Sequence, residues 1–262
     1  KDEIETVLNL DKLLAKRVIG QDHAMKMIAK RIQTSRAGLD NPQKPIGVFM
    51  LAGTSGVGKT ETALALAEVL YGGEQNLITI NMSEYQEAHT VSSLKGAPPG
   101  YVRSIDFKNT LILLTTNAGT EMIMDLCADP DLMPDPEGMA KALREPLLKI
   151  FPPALLGRLV TIPYYPLSPS MIAEITKLQL NRIKKRVTAA HNVPFEYSDA
   201  VVDLIVERCQ ELESGGRMID AIVTNTMLPD ISGEFLRRMM TGGEVTKVAI
   251  DTKDGEFNYS FE

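Results

Sequence analysis

Apolar residues recur along the first part of the chain with two different spacings. Separations of three and four residues predict amphipathic helices over 4–17 and 21–37, and a stretch rich in helix-forming residues predicts another over 59–70. Short uninterrupted apolar runs, bounded by glycine, proline or polar residues, predict buried strands at 46–52, 77–81, 110–115 and 160–162. Because strands that alternate with helices form parallel sheets with crossover connections, we expect an α/β fold.

The pattern changes after residue 150. The sequence FPPALLGR at 151–158 predicts a proline-marked loop, and IPYYPLSP at 162–169 predicts a linker. Beyond it, the spacing predicts one long helix, three shorter ones and two strand-like runs, over 170–190, 198–212, 216–228, 234–240, 245–250 and 256–261. We therefore expect a large α/β domain over 1–165 and a smaller, helix-rich α+β domain over 166–262.

Composition narrows the class of protein without identifying it. The 262 residues are 44% hydrophobic and 24% charged, which is typical of a globular chain and argues against a disordered or collagen-like one. The formal net charge of −6 disfavours a general nucleic-acid surface, because phosphate binding needs a basic face. No apolar run reaches about 18 residues, so we expect no membrane span.

The two cysteines lie far apart, which indicates neither a disulfide framework nor a zinc site and favours a reducing, cytoplasmic compartment. The N-terminus is charged and lacks the apolar core of a signal peptide. Since the chain starts with Lys1 and not with Met, we expect it to be a piece of a longer protein.

The sharpest chemical signal is a glycine-rich loop between a predicted strand and a predicted helix. Residues 53–60 (GTSGVGKT) fit the pattern G-x-x-x-x-G-K-[ST]. Glycines let backbone N–H groups turn towards phosphate oxygens, and the following helix directs its positive end at the same anion. The pattern predicts a site for ATP or ADP with Mg²⁺, formed by Gly53, Thr54, Ser55, Gly56, Val57, Gly58, Lys59 and Thr60.

Two of these side chains have a specific chemistry. The Lys59 ammonium reaches the β- and γ-phosphates, and the Thr60 hydroxyl is a ligand for Mg²⁺. Hydrolysis also needs a strand that ends in carboxylates, one to hold Mg²⁺ and one to orient water. The run 77–81 is followed by Met-Ser-Glu and the run 110–115 by Thr-Asn, so neither supplies an Asp-Glu pair.

Several stretches together resemble a known family. GVFMLAGTSGVGKTETALALAEVLYGG, KGAPPGYV and DFKNTLILLTTNAG are similar to the second ATPase domain of the Clp/Hsp100 AAA+ unfoldases, and the similarity runs essentially from end to end. NLITINMSEYQEAHTVSSLKG, PALLGRLVTIPYYPLS and GEFNYSFE resemble the ClpV branch, the type VI secretion ATPases, more than the ClpB disaggregases. The resemblance implies a P-loop AAA+ fold with a small C-terminal lid domain. It also implies an ATPase that forms hexameric rings and threads protein through a central pore, with the contracted type VI secretion sheath as substrate.

The resemblance assigns roles to residues beyond the loop. Val18 and Ile19 match the segment that holds adenine, although the RVIGQ sequence also fits an ordinary helix break. Asn117 matches the sensor that polarises the attacking water near the γ-phosphate. Its position after a strand suits ligand binding in a parallel sheet, and a helix-capping asparagine is the alternative.

Three further roles rest on the same family match. Arg158 matches the arginine finger that enters the neighbouring subunit's site, and Arg217 matches the second sensor, which reaches the nucleotide of its own subunit. Tyr101, with Val102, matches the pore loop, where an aromatic ring grips a substrate chain. The alternatives are ordinary surface arginines and a tyrosine packed under its own loop.

The family match also accounts for the missing carboxylates. In these proteins several dozen residues, including the Asp-Glu strand and a second pore loop, follow the GYV sequence, whereas here Val102 is followed at once by Arg103. Either the chain lacks that segment, or the sequence closes over a mobile stretch of a longer chain. We favour the second, because substrate-binding loops are commonly mobile. A sheath-remodelling motor, a ClpB-type disaggregase and a nucleotide-binding scaffold without turnover all stay open.

Overall fold

The computed structural model describes four stretches of the chain: 2–70, 76–82, 108–211 and 215–262. Tyr101, Val102 and the junction between Val102 and Arg103 lie outside these described residues. The chain forms two compact units, Lys1–Pro166 and Leu167–Glu262. Within the described stretches, no helix combines the length and the apolar character needed to cross a lipid bilayer.

The first unit is built on a four-stranded sheet with the order β2-β3-β1-β4. Its strands are β1 (Gly47–Ala52), β2 (Asn76–Asn81), β3 (Thr110–Thr116) and β4 (Val160–Pro163). Each neighbouring pair is parallel, which confirms the α/β fold that the sequence predicts. Ala52 lies opposite both Thr116 and Pro163, so the carboxyl ends of three adjacent strands meet at one edge of the sheet.

Helices of this unit lie before, between and after the strands. They are α1 (Asp2–Leu8), α2 (Leu10–Ala15), α3 (Asp22–Arg36), α4 (Lys59–Val69), α5 (Thr120–Leu126), α6 (Pro136–Leu148) and α7 (Pro153–Leu156). The loop predicted over 151–158 is wrong in part, because α7 occupies its centre. Proline suits the first position of a helix, where no N–H donor is needed, so Pro153 begins α7 and does not prevent it.

The hydrophobic pattern alone does not predict α5 or α6. A local signal for α6 is nevertheless present, since Gly138 N donates to the Asp135 carboxylate at 2.8 Å and Pro136 takes the first helical position. The apolar face of α6 packs into the core on one side of the sheet. That core includes Met50 of β1, Leu114 of β3 and the helical residue Leu143.

The second unit combines helices with a three-stranded sheet of order β5-β6-β7. Its elements are α8 (Pro169–His191), β5 (Phe195–Tyr197), α9 (Asp199–Glu211), α10 (Gly216–Ile222), α11 (Leu228–Thr241), β6 (Val248–Lys253) and β7 (Glu256–Phe261). Strand β6 pairs parallel with β5 and antiparallel with β7. The buried side chains of Leu180, Phe195 and Ile205 join the sheet and the helices in one core.

The helical boundaries predicted near residue 228 are wrong. A π-helical turn over Val223–Met227 joins α10 directly to α11, which already begins at Leu228 and runs through the predicted short helix. Pro229 gives the physical reason, because proline has no N–H and is tolerated in the first turn of a helix. The wider π turn thus lets the helical segment continue to Pro229, which an uninterrupted α-helix would disfavour in its interior.

His23, in the first turn of α3, ties this helix to the end of β4. Its Nε2 lies 2.6 Å from the Pro163 carbonyl oxygen, and its ring meets the Tyr165 ring edge-on with centroids 5.1 Å apart. Burial lowers the pKa of His23 from its ordinary value of 6.5, and the Pro163 hydrogen bond and the Asp22 charge oppose this shift only in part.

Truncating Leu143 should destabilise the first unit strongly. Leu143 is fully buried against the sheet, so Leu143→Ala removes packed atoms and leaves a cavity, at a cost of about 2–5 kcal/mol of unfolding free energy. The matched control is Leu148→Ala on the same helix, where the side chain is 39% exposed and the expected cost is about 1 kcal/mol or less. Urea denaturation followed by circular dichroism measures both values, and equal losses would contradict this packing.

The His23 environment predicts a pH dependence of stability. Because its pKa is lower in the folded chain than in the unfolded chain, the unfolded chain binds more protons in the window just below pH 6.5. The free energy of unfolding should therefore be highest above that window and fall as the pH drops through the folded pKa. His23→Gln keeps a donor for Pro163 and should lose this part of the pH dependence. Denaturation of both proteins at several pH values is the measurement, and identical pH profiles would show that His23 does not contribute.

Candidate nucleotide-binding site

The glycine-rich loop connects the end of β1 to the start of α4. Gly56 and Gly58 have φ angles of +79° and +108°, in the left-handed region that disfavours residues with a side chain. Gly58 is also the N-cap of α4, so the positive end of this 11-residue helix adjoins the loop. The backbone thus has the shape that the sequence pattern requires of a phosphate-binding loop.

Lys59 is buried at the carboxyl edge of the sheet, with only 8% of its surface exposed. Its ammonium donates to the carbonyl oxygens of Gly53, Thr54 (3.2 Å) and Thr116 (3.0 Å), and to Asn117 Oδ1 (2.6 Å). A buried charge needs such partners, because without them its removal from water costs several kcal/mol (order of magnitude). These acceptors hold the ammonium where β1 and β3 end, next to the loop.

Asn117 follows β3 directly, and its side chain faces Lys59. The N-cap of the following helix α5 is Gly119, so the Asn117 side chain does not have the capping role that the sequence left open. Its backbone carbonyl accepts a hydrogen bond from Thr120 Oγ1 at 2.5 Å. Asn117 therefore brings an amide group to the loop at the end of a parallel strand, which is where ligands bind in such sheets.

A buried hydroxyl in the loop fits an oxygen-rich ligand, and a close contact fixes the start of the loop. Ser55 Oγ is buried and, within the described stretches, has no hydrogen-bond partner, an arrangement that costs free energy unless a ligand or water satisfies it. Gly53 has no room for a side chain, since a Cβ there would lie 2.8 Å from both Cβ and the carbonyl oxygen of Tyr164. Glycine is therefore required at this position by the close approach of Tyr164.

The described residues support a metal site less strongly than a phosphate site. Thr60 is exposed at the second position of α4. No group of three or more His, Cys, Asp and Glu side chains is positioned to hold a metal ion in the part of the chain that the structure describes. Among the side chains at the end of the loop, Thr60 supplies a hydroxyl directly after Lys59.

Val18 and Ile19 lie in the bend between α2 and α3. Val18 is buried against the loop, and its Cγ1 would lie 3.0 Å from a Cβ placed on Gly58. The preceding Arg17 forms ion pairs with Glu61 (2.9 Å) and Glu68 of α4. The bend is thereby fixed beside the start of α4, whereas Ile19 is half-buried.

A segment that the sequence analysis treats as part of a linker also contacts the loop. Tyr164 N donates to the Ala52 carbonyl at 2.7 Å, and the fully buried Tyr164 hydroxyl lies 2.7 Å from Thr62 Oγ1. Burial raises the pKa of this phenol, and the Thr62 hydrogen bond opposes the shift in part. Gln21, which is also fully buried, bonds to both the loop and Tyr165. The sequence signals this role of Gln21 only weakly, through its polar side chain at the end of RVIGQ.

The two candidate arginines are both exposed. Arg158 follows α7, and Arg217 is the second residue of α10 in the second unit. Neither guanidinium has a hydrogen bond or ion pair with another described residue. The structure brings Lys59, Thr116 and Asn117 together, whereas Arg158 is not part of that cluster in its own chain.

Family models match both units of the chain. The model described as the AAA domain (Cdc48 subfamily) matches residues 44–104, which include the glycine-rich loop. The model described as the C-terminal, D2-small domain of ClpB protein matches residues 167–248, which lie in the second unit.

Individual relatives cover the whole chain but only part of their own length. The AAA+ ATPase ClpV1 of Pseudomonas aeruginosa is 64% identical over all of this chain, which spans 34% of that protein. The chaperone ClpB of Yersinia enterocolitica is 44% identical over 99% of this chain, which spans 35% of it. A closed-state structure of Hsp104 with ATPγS and casein matches the fold with a TM-score of 0.79 at 21% identity, over 100% of this chain and 52% of that one.

The chain thus spans about a third of the length of its curated relatives. The alignment with ClpV1 has 311 positions for the 262 residues of this chain, a difference of 49, so about 49 positions of that protein have no counterpart here. Two matched family models, high identity over the full length and a shared fold agree with one another. The chain belongs to the Clp/Hsp100 family of AAA+ ATPases, where it corresponds to the C-terminal ATPase domain.

Proposed function

We propose that this chain is the ATP-driven motor domain of a ring-forming, protein-remodelling machine. The observation that carries the proposal is the placement of the Lys59 ammonium between the loop carbonyls and Asn117, at the edge where β1 and β3 end. In this position a buried cation, a sensor amide and the N-terminus of α4 converge on one loop. That combination suits a nucleoside triphosphate better than any neutral ligand.

Each part of the nucleotide has candidate partners. The amides of 53–60 and the Lys59 ammonium hold the phosphate tail, and Thr60 supplies a hydroxyl ligand for Mg²⁺. Bound Mg²⁺ supplies charge neutralisation at the phosphate oxygens. Val18 and Ile19, fixed beside the loop, form the side against which adenine packs. Asn117 orients the attacking water near the γ-phosphate.

Assembly would complete this site. We assign Arg158 to the neighbouring subunit's site, where a guanidinium stabilises charge on the transferring phosphoryl group. Its exposure and its lack of partners among the described residues support this assignment. Sequence resemblance assigns Arg217 to the second sensor for the nucleotide of its own subunit, and Tyr101 with Val102 to the grip on substrate in the central pore of a hexamer. The pore residues lie outside the described stretches, so sequence resemblance alone supports that role.

The substrate we propose is the contracted sheath of type VI secretion. The 64% identity to a protein named ClpV1, against 44% to a ClpB, favours this over a general disaggregase. A nucleotide-binding scaffold without turnover is the second candidate, and a specific observation favours it. Strand β2 pairs directly with β3 over six residues, so no carboxylate-bearing strand lies between them in this chain.

Two measurements separate the motor from the scaffold. The intact mass shows whether the polypeptide contains the roughly 49 positions of ClpV1 that have no counterpart in this sequence. Steady-state ATPase activity of the same preparation then shows whether it turns over ATP.

A further measurement distinguishes a sheath-remodelling motor from a general disaggregase. It compares the release of soluble subunits from purified contracted sheaths with the release of protein from a heat-aggregated model substrate.

Replacing Lys59 should abolish nucleotide binding. Lys59→Ala removes an ammonium that contacts both the Gly53 carbonyl and Asn117, so affinity for ATPγS should fall below detection in calorimetry. Lys44→Ala is the matched control, since that side chain is exposed before β1 and should leave affinity unchanged. Undiminished affinity in a folded Lys59→Ala protein would overturn the site assignment.

Replacing Arg158 should separate binding from turnover. In the assembled ring, Arg158→Ala should keep nucleotide affinity and lower kcat on the order of 10³-fold, because the arginine acts only on the transferring phosphoryl group. Arg144→Ala, another exposed arginine of the same unit, is the control.

Mixing variants tests whether Arg158 acts on a neighbour. Rings that combine Arg158→Ala subunits with Lys59→Ala subunits contain some sites with an intact loop from one subunit and an intact arginine from the next. Such mixtures should recover part of the turnover that both pure variants lack. Normal turnover in pure Arg158→Ala rings, or no recovery on mixing, would show that the trans role is wrong.

A further inference from the structure

Gln21 is a fully buried polar residue whose side chain has an unusual use. It occupies the N-cap position of α3, but its side chain makes no capping hydrogen bond with that helix. Instead, its Nε2 donates to the Val57 carbonyl at 3.2 Å and to the Tyr165 carbonyl at 2.8 Å. Its Oε1 accepts from Tyr165 N at 2.9 Å. Both N–H donors and the carbonyl oxygen of the amide are therefore engaged.

The bond to Val57 sets the direction of one loop amide. The Val57 carbonyl and the Gly58 N–H belong to the same planar peptide, and in a trans peptide these two groups point in opposite directions. Holding the carbonyl towards Gln21 therefore fixes the Gly58 N–H on the opposite side. Gly58 has a φ of +108° and no side chain, so its own conformational preferences restrict the orientation of this peptide only weakly.

The bonds to Tyr165 fix the chain at its exit from the first unit. Gln21 pairs with both backbone groups of Tyr165, as a neighbouring strand would, and Tyr165 lies two residues before the second unit begins at Leu167. The adjacent Tyr164 reinforces this attachment through the Ala52 carbonyl and the Thr62 hydroxyl. The start of the interdomain connection is thus bonded to residues on either side of the glycine-rich loop.

We propose that Gln21 is a positioning residue that links the Val57–Gly58 peptide of the phosphate loop to the backbone of Tyr165. A phosphate oxygen that binds the Gly58 N–H pulls on a peptide whose carbonyl is held by Gln21, and the same amide carries the displacement to Tyr165. Nucleotide binding thereby changes the start of the chain that leads to the second unit. This proposal rests on the proposed nucleotide binding and adds the route by which the loop acts on the interdomain connection.

The chain offers a clean reporter for this link. It contains no tryptophan, so Tyr165→Trp introduces a single indole at the segment in question and keeps the backbone groups that Gln21 holds. The parent protein is the full 262-residue chain with this substitution, and ATPγS with Mg²⁺ is the probe. Calorimetry gives the affinity, and tryptophan emission at saturating ATPγS gives the response of the segment.

Gln21→Met in the reporter background keeps the volume of the side chain and removes all three hydrogen bonds. We expect affinity to fall roughly ten- to a hundredfold, since one donor to a charged oxygen is no longer held in place. At saturating ATPγS, the emission change should also shrink to less than half of that in the parent. A residue needed only for stability would lower affinity or the melting temperature but leave the saturated emission change complete.

Gln33→Met is the matched control. Gln33 lies in α3, the helix that Gln21 precedes, and donates through Nε2 to the Val7 carbonyl at 3.0 Å, away from the loop. It should leave affinity and emission change as in the parent. If Gln21→Met does not fold, Gln21→Asn keeps an amide one methylene shorter, which cannot reach Val57 and Tyr165 together, and the same loss of response is expected.

The outcomes separate the two proposals. If the parent reporter binds no ATPγS, the proposed function fails, and this link fails with it. If the parent binds but its emission does not change, or if the folded Gln21 variants show the complete change at saturation, the link alone is wrong. Loss of the response in the Gln21 variants, with Gln33→Met unchanged, supports it.

Discussion

The burial of one ammonium group is the constraint on which the architecture of the site depends. Lys59 sits in the interior at the start of α4, where an unpartnered charge would be costly. Its acceptors come from two strands that are far apart in sequence: the carbonyls directly after β1, and Thr116 and Asn117 at the end of β3. The parallel pairing of β1 with β3 brings these groups to one edge. The site thus exists only once the sheet has formed.

A second layer of contacts holds that edge to its surroundings. Arg17 pairs with Glu61 and Glu68, and Val18 packs beneath Gly58, so the bend before α3 is attached to the loop and to α4. Tyr164 approaches so closely that Gly53 has no space for a side chain. These contacts leave the loop surrounded on one side by the N-terminal helices and on the other by the segment after β4. A ligand that moves the loop must therefore disturb at least one of these neighbours.

The choice between a motor and a scaffold depends on the catalytic carboxylates, and neither β2 nor β3 is followed directly by an Asp-Glu pair. A phosphate-binding loop needs a glycine-rich backbone and a cation, whereas turnover also needs carboxylates that orient water and hold Mg²⁺. Relatives in the same family align with about 49 positions that this chain does not have. Binding and hydrolysis thus depend on different groups in a site of this kind.

Local patterns of apolar, polar and glycine residues predict much of the fold. The apolar runs before Gly53 and Asn117 predict β1 and β3, the glycine spacing predicts the loop, and strand–helix alternation predicts the parallel sheet, all of which the structure bears out. Local patterns do not predict structure that depends on contacts with distant parts of the chain. Nothing along the sequence shows that Pro229 follows a π turn, and the hydrophobic pattern does not predict α6, which packs Leu143 into the core.

The same division holds at the site. Sequence alone determines that Lys59 and Thr60 follow a phosphate-type loop, because that chemistry is encoded in eight consecutive residues. Only the tertiary structure decides that Asn117 meets Lys59, and that Gln21 and Tyr164 meet the loop from positions 36 and more than 100 residues away. Such hydrogen bonds join groups with ordinary local sequences. Their partners are chosen by strand order and burial, which no single stretch of the chain specifies.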